Sequence, residues 1–196
     1  MITELRQLDL NANYTYADYI LWQFDERVEL IKGHIRQMTT PNVRHQRISG
    51  KIQFALSWFL KNKPCDVFAA PFDVRLPLPA HRLHGNKVDT VVQPDLCVIC
   101  NRGELDERGC LGAPDLIVEI LSPGNSRQEV RDKYELYQES GVVEYWVVFP
   151  SEQVLQRYIL NENNIYQAQL PNVEGDMVEV TFLPGFALDV AGIFIE

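Results

Sequence analysis

The sequence predicts an α/β sandwich, a mixed sheet flanked by helices, and three observations carry that prediction. A stretch with apolar residues at helical spacing, "NVRHQRISGKIQFALSWFLKNK", precedes three strand-like runs, "CDVFAAPFDVRL", "TVVQPDLCVIC" and "PDLIVEILS". A second amphipathic stretch, "SRQEVRDKYELYQESG", precedes a fourth run, "VEYWVVFP". The order helix, three strands, helix, strand interleaves the two periodicities, as expected where helices pack on the faces of one sheet.

From the N-terminus, "YTYADYILWQFDE" sets aromatic and apolar residues at helical spacing behind Thr15 as a cap, which predicts a short helix from about Tyr16 to Phe24. "RVELIKGHIRQM" alternates about a Lys-Gly pair and predicts a hairpin with Gly33 at its tip and Glu29 on its first strand. Apolar residues at Val43, Ile48, Ile52, Leu56, Phe59 and Leu60 predict a helix of about five turns. The connection "PLPAHRLHGNKVD" is long and irregular, a kind that commonly carries function or flexibility. "NRGELDERGCLGA" reads as a polar, glycine-rich link. The second helix is capped by Ser126 or Asn125, ends at Gly141 and buries Val130, Tyr134 and Tyr137. From Ser151 onward, "QVLQRYIL", "NIYQAQL" and "MVEVTFL" predict a terminal β meander. The 196 residues are expected to form one domain, with a core over about 14–150 and a β-rich extension over 151–196.

With 46% hydrophobic and 23% charged residues the composition excludes disordered and collagen-like classes. No run approaches the roughly 20 apolar residues of a membrane-spanning helix. The start "MITELRQLDLNANYTY" lacks the basic and apolar parts of a signal peptide, so a cytoplasmic protein without a membrane partner is expected. In that compartment Cys65, Cys97, Cys100 and Cys110 are expected as free thiols. Cys97 and Cys100 have a metal-knuckle spacing, but three apart on a strand they point to opposite faces. His81 and His84 lie in a Pro- and Gly-flanked loop with no further ligand pair and read as solvated. The net charge of -9 argues against a broad phosphate-binding surface. A nucleic-acid site must be a local patch, or one whose carboxylates are offset by metal ions.

Glu119 breaks the apolar run Leu116 to Leu121, where an ionised side chain is tolerated only beside a cation, a basic partner or water at an open end of the sheet. Asp95 follows Pro94 at the start of the preceding strand. Neighbouring strands lie about 4.8 Å apart, so carboxylates at matching heights can share one divalent cation. Such a pair with a bound water is a usual way to cleave a phosphodiester without a covalent intermediate. A basic residue on the same strand face would fall at position 121, which is Leu121. The next candidate is Lys133 on the following helix, with Glu129 one turn before it. Asp115 shares the strand face of Glu119 but falls where the strand begins, and ranks below it as a metal ligand.

These residues resemble the PD-(D/E)xK restriction-endonuclease-like superfamily, whose core has the same order of helix, three strands, helix and strand. Taken with "VELIKGHI", "VVQPDLCVI", "PDLIVEILSPGN", Lys133 and "YQESGVVEYWVV", they resemble more specifically the bacterial Uma-two family of proposed restriction endonucleases. The resemblance runs over roughly Tyr14 to Pro150 and continues weakly to the end. It implies a nuclease acting on DNA with Mg²⁺ or Mn²⁺, in which Asp95 and Glu119 bind the metal, Lys133 orients or activates the attacking water, and Glu29 adds a further acid from the hairpin. The shifted lysine is a trait of that family. The chain departs from the family pattern at Glu129, usually Asp, and at Phe149, often Asp. Cleaving both strands of a duplex calls for two active sites, so a two-fold homodimer is expected.

Each residue also has a plainer reading. Asp95 can cap a turn, Glu29 can face outward from its hairpin, and Lys133 can be a solvated helix residue paired with Glu129. As a residue on the outside of its helix, whether or not it serves the chemistry, Lys133 is expected to be replaceable by Met within about 0.5 kcal/mol of wild-type stability. Should Lys133 have no part, Lys51 and Lys87 are the next lysines. His45 reads first as a packing or helix-surface histidine and only second as a residue reaching substrate. The rival function is a catalytically silent nucleic-acid-binding or assembly protein on the same scaffold.

Overall fold

The computed structural model describes residues 2–76, 88–124 and 126–195, so His81, His84, Lys87 and Asn125 lie outside the described residues. In chain order the elements are α1 (Tyr16–Tyr19), β1 (Val28–Ile31), β2 (His34–Gln37), α2 (Val43–Leu60), β3 (Asp66–Ala69), β4 (Val74–Arg75), β5 (Val91–Val92), β6 (Leu96–Ile99), β7 (Leu105–Asp106) and β8 (Gly109–Leu111). There follow β9 (Leu116–Ile120), α3 (Arg127–Ser140), β10 (Glu144–Phe149), β11 (Val154–Leu160), β12 (Tyr166–Ala168), β13 (Met177–Glu179), β14 (Ala187–Asp189) and α4 (Val190–Phe194).

The two long helices begin and end on the chemistry their sequences offer. At the head of α2, Asn42 accepts a hydrogen bond from the His45 amide at 2.9 Å, and Ile48, Ile52, Leu56 and Leu60 form the buried stripe. Helix α3 opens on a reciprocal box: Ser126 Oγ accepts from the Glu129 amide, and the Glu129 carboxylate accepts from the Ser126 amide. It stops at Gly141, whose φ of 84° is left-handed. Leu136 and Tyr137 are its buried residues, while Val130 and Tyr134 are half-buried.

The main sheet has the order β12-β11-β10-β9-β6-β3 and is mixed, with β9 and β10 parallel and the other neighbours antiparallel. Strand alternation divides its side chains cleanly. Leu116, Val118, Ile120, Trp146 and Val148 face a core closed by α2, α4 and the β13–β14 hairpin. Ile117, Tyr145, Val147 and Cys97 face the opposite way, toward α3 and a second sheet ordered β2-β1-β5-β4-β8-β7. This is the mixed α/β architecture that the sequence predicts.

Five local expectations are corrected. The runs "CDVFAAPFDVRL" and "TVVQPDLCVIC" each divide into two strands, β3 with β4 and β5 with β6, and each half joins a different sheet. The breaks fall at Pro71 and Pro94, which have no N–H to give to a ladder. The glycine-rich link at 101–113 contains the β7–β8 hairpin, where Gly109 lies so close to β4 that a Cβ would stand 2.1 Å from the Asp73 carbonyl oxygen. The first helix is one turn long, and the terminal meander divides into β11–β12, which extend the main sheet, and the separate β13–β14 pair before α4. Finally, Cys65 and Cys100 form a disulfide, whereas Cys97 and Cys110 are free and buried. The expectation of four thiols came from compartment alone; Cys65 stands just before β3 and Cys100 just after β6, and the Asp66–Ile99 pairing of those strands brings the two together. Among the described residues no helix is long and apolar enough to cross a membrane.

Candidate active site

The antiparallel register of β6 and β9 pairs Leu96 with Val118. Asp95, one residue before β6, is therefore carried to the C-terminal end of β9, where its Oδ2 accepts the Ile120 amide at 2.8 Å. The same oxygen lies 3.0 Å from His45 Nε2, reaching in from the first turn of α2. Alternation turns Glu119 to the α3 face of the sheet. There, Lys133 and Tyr137, four residues apart on one side of α3, donate to Glu119 Oε1 at 2.7 and 2.6 Å. Lys133 Nζ also donates to Glu29 Oε1 at 3.1 Å, and the Gln93 amide donates to that oxygen at 3.0 Å. Glu29, in β1 of the second sheet, is 3% exposed and Glu119 8%.

A carboxylate in an apolar strand thus stands at an open end of the sheet with a basic partner. Burial pushes the Glu119 pKa up to about 7; the Lys133 ammonium opposes the shift, and the carboxylates of Asp95 and Glu29 add to it. Burial works against the charge of Lys133, but Glu119 and Glu29 outweigh it and hold the ammonium above the ordinary lysine range. Tyr137 is pushed well up, first by burial and then by Glu119, and remains a phenol. Lys133 is therefore a standing cation and donor, and no general base at neutral pH. Among the described residues two of its three N–H donors are engaged, and the third is left for an incoming group.

Asp95, Glu119, Lys133 and Glu29 all line one cleft, together with Arg27, Arg36, Thr39 and His45. The plainer readings of Glu29 as outward-facing and of Lys133 as the partner of Glu129 do not hold: Glu29 is buried on Lys133, and Glu129 is used by the α3 cap at the cleft wall. Asp115 is at the far end of β9, accepting the Cys100 amide at 2.7 Å. Lys51 donates to the Ile195 carbonyl on another side of the fold. Phe149 packs half-buried against the core on the α3 side of the sheet. His45, read first as packing, is 5% exposed and bound to Asp95, with Nδ1 unpaired among the described residues. Its signal was available: it lies three residues before Ile48 on the apolar stripe of α2, a polar side chain in an apolar row, as Glu119 is in β9.

The donor set fits a hard divalent cation. Asp95 Oδ1 and Glu119 Oε2 take no hydrogen bond among the described residues, while their other oxygens are held in place. Among the described residues no group of three or more His, Cys, Asp or Glu side chains is arranged to hold a metal. Two carboxylates with open positions suit Mg²⁺ or Mn²⁺, which share their coordination with water and phosphate, better than an all-protein cage.

The profile of the Uma2 family, whose description is "Putative restriction endonuclease", matches residues 16–191. Among solved structures, the chain is similar to one described as "a putative nuclease belonging to DUF820" from Anabaena variabilis ATCC 29413. The two share 21% identity and superpose with a TM-score of 0.72 over 92% of this chain and 97% of the other. At that identity the likeness shows the fold. No curated protein matches the chain.

Proposed function

Because the chain belongs to the Uma2 family, whose description is "Putative restriction endonuclease", we propose that it is a metal-dependent nuclease that hydrolyses phosphodiester bonds in DNA, with Asp95 and Glu119 as the ligands of Mg²⁺ or Mn²⁺. The observation that carries this reading is the convergence of Asp95, Glu119 and Lys133 on one cleft. When bound, the cation supplies Lewis acidity toward a phosphate oxygen and makes water a better nucleophile. The chain's own side chains do the rest. Lys133, fixed between Glu29 and Glu119, directs its free N–H at a phosphate oxygen or the attacking water and stabilises charge that grows in the transition state. Tyr137 and the Ile120 amide fix the two carboxylates, and His45 holds Asp95 from the other side. Positioning residues of this kind keep the ligands aimed without touching substrate.

Relaxation of supercoiled plasmid DNA with Mg²⁺ or Mn²⁺, and none in EDTA, is the expected result. Intact plasmid under both metals would favour the catalytically silent binding or assembly protein. For scission of both strands the reading includes a two-fold homodimer, since a pair places two clefts on one duplex. Light scattering should then give twice 22.6 kDa, and a mass of 22.6 kDa at working concentration would remove the dimer.

A further inference from the structure

Between Glu29 and Asp66 the sequence has no Asp or Glu and seven Lys or Arg, in a chain whose net charge is -9. Helix α2 makes up half of that segment, and its surface is as unusual as the segment's charge. Opposite the buried stripe it exposes Phe54 (70%) and Trp58 (71%), one turn apart, with rings stacked at a centroid distance of 6.3 Å and 22° between planes. Arg47 precedes them on that side and Lys61 follows, its Nζ 5.9 Å from the Trp58 ring centre. Past the helix, Lys63 and Phe68 join Trp58 and Lys61 around a shallow groove, and the acid at its rim, Asp66, is held by Arg102 through bonds of 2.8 and 3.1 Å. Single exposed apolar side chains are ordinary, but two stacked rings framed by cations are not.

We propose that this outer face of α2 binds an unpaired polynucleotide strand, whose bases stack on Phe54 and Trp58 and whose phosphates meet Arg47, Lys61 and Lys63. Every base has a face that can stack on an aromatic ring, and cations beside the rings track the backbone. A second copy of this chain suits the face less well: a two-fold contact would set the same cations of both copies against each other, and the acid at the rim, Asp66, is already paired with Arg102. The first turn of α2 also carries His45 to the cleft, so the helix leads from the exposed rings toward the candidate site. The ligand class rests on the nuclease reading, whereas the face itself uses none of the residues assigned to the cleft.

The test is fluorescence anisotropy of a labelled oligo-dT in EDTA and low salt, with wild type, Phe54→Ala and Trp58→Ala. Both side chains are largely exposed, so the variants should melt as wild type does. Each substitution should weaken binding about tenfold, the scale of losing one base stack. Hydrolysis of a small chromogenic phosphodiester, too short to reach α2, should keep its wild-type rate in both variants. Equal affinity in wild type and variants, or no binding by wild type, would overturn the proposal. A wild-type dimer that Trp58→Ala converts to monomer with oligonucleotide affinity unchanged would also overturn it, giving the face to a second copy. Trp58-dependent binding by a protein that cleaves nothing would defeat the nuclease reading and leave this face standing.

Discussion

Glu119→Gln is expected to abolish metal-dependent plasmid cleavage while the protein remains folded. Glutamine keeps the shape of the side chain and an oxygen for Lys133 and Tyr137, which donate to Oε1 in the wild type. It removes the charge that a divalent cation needs. The folded protein loses little, because burial already disfavours the charged form of Glu119, and Lys133 retains Glu29 as its counterion. The variant should melt close to wild type, and its cleavage rate should fall by at least about a hundredfold, the low end for a positioned catalytic group. Wild-type cleavage by a correctly folded Glu119→Gln protein would remove Glu119 from the metal site.

Lys133→Met is expected to be costly in both activity and stability, and the second cost reverses the surface-residue expectation. The Lys133 side chain is only 17% exposed and lies between two buried carboxylates. Removing one partner of a buried ion pair leaves uncompensated charge and costs about 3 kcal/mol or more. The loss should depend on pH in a fixed direction. Glu119 has a folded pKa of about 7 against an ordinary 4.5, and without Lys133 it is raised further. A raised acid stabilises the folded state while it holds its proton, and that contribution fades as pH rises through the folded value. Urea titrations should therefore show a deficit of about 3 kcal/mol at pH 8 that shrinks toward about 1 kcal/mol at pH 5. A deficit below about 0.5 kcal/mol at pH 8 would return Lys133 to the surface.

The parts of the fold that could be read from sequence are those fixed by local chemistry. The α3 boundaries follow from Ser126, Glu129 and Gly141, and β9 and β10 from short, largely apolar runs buried on both faces. What could not be read is set by distant contacts. Alternation in "TVVQPDLCVIC" is the same whether the run serves one sheet or two, and only the partners of Val91 and Leu96 decide it. Cys65 and Cys100 are 35 residues apart, and their pairing depends on β3 lying beside β6. In the cleft, Glu119 was legible because it breaks a pattern. Lys133 was legible by elimination and by family resemblance, although its contact with Glu29 spans 104 residues and is tertiary. His45 broke a pattern too, but a histidine in an apolar row is so often satisfied by packing that its bond to Asp95 needed the fold to be seen.

Crystals soaked in Mn²⁺ and measured at a wavelength where manganese scatters anomalously would test the shared cation site most directly. The expected result is one anomalous peak within about 2.5 Å of both Asp95 Oδ1 and Glu119 Oε2, the distance of oxygen ligands to a hard cation. No peak in the cleft, or a peak bound elsewhere while Asp95 and Glu119 keep their present hydrogen bonds, would contradict it.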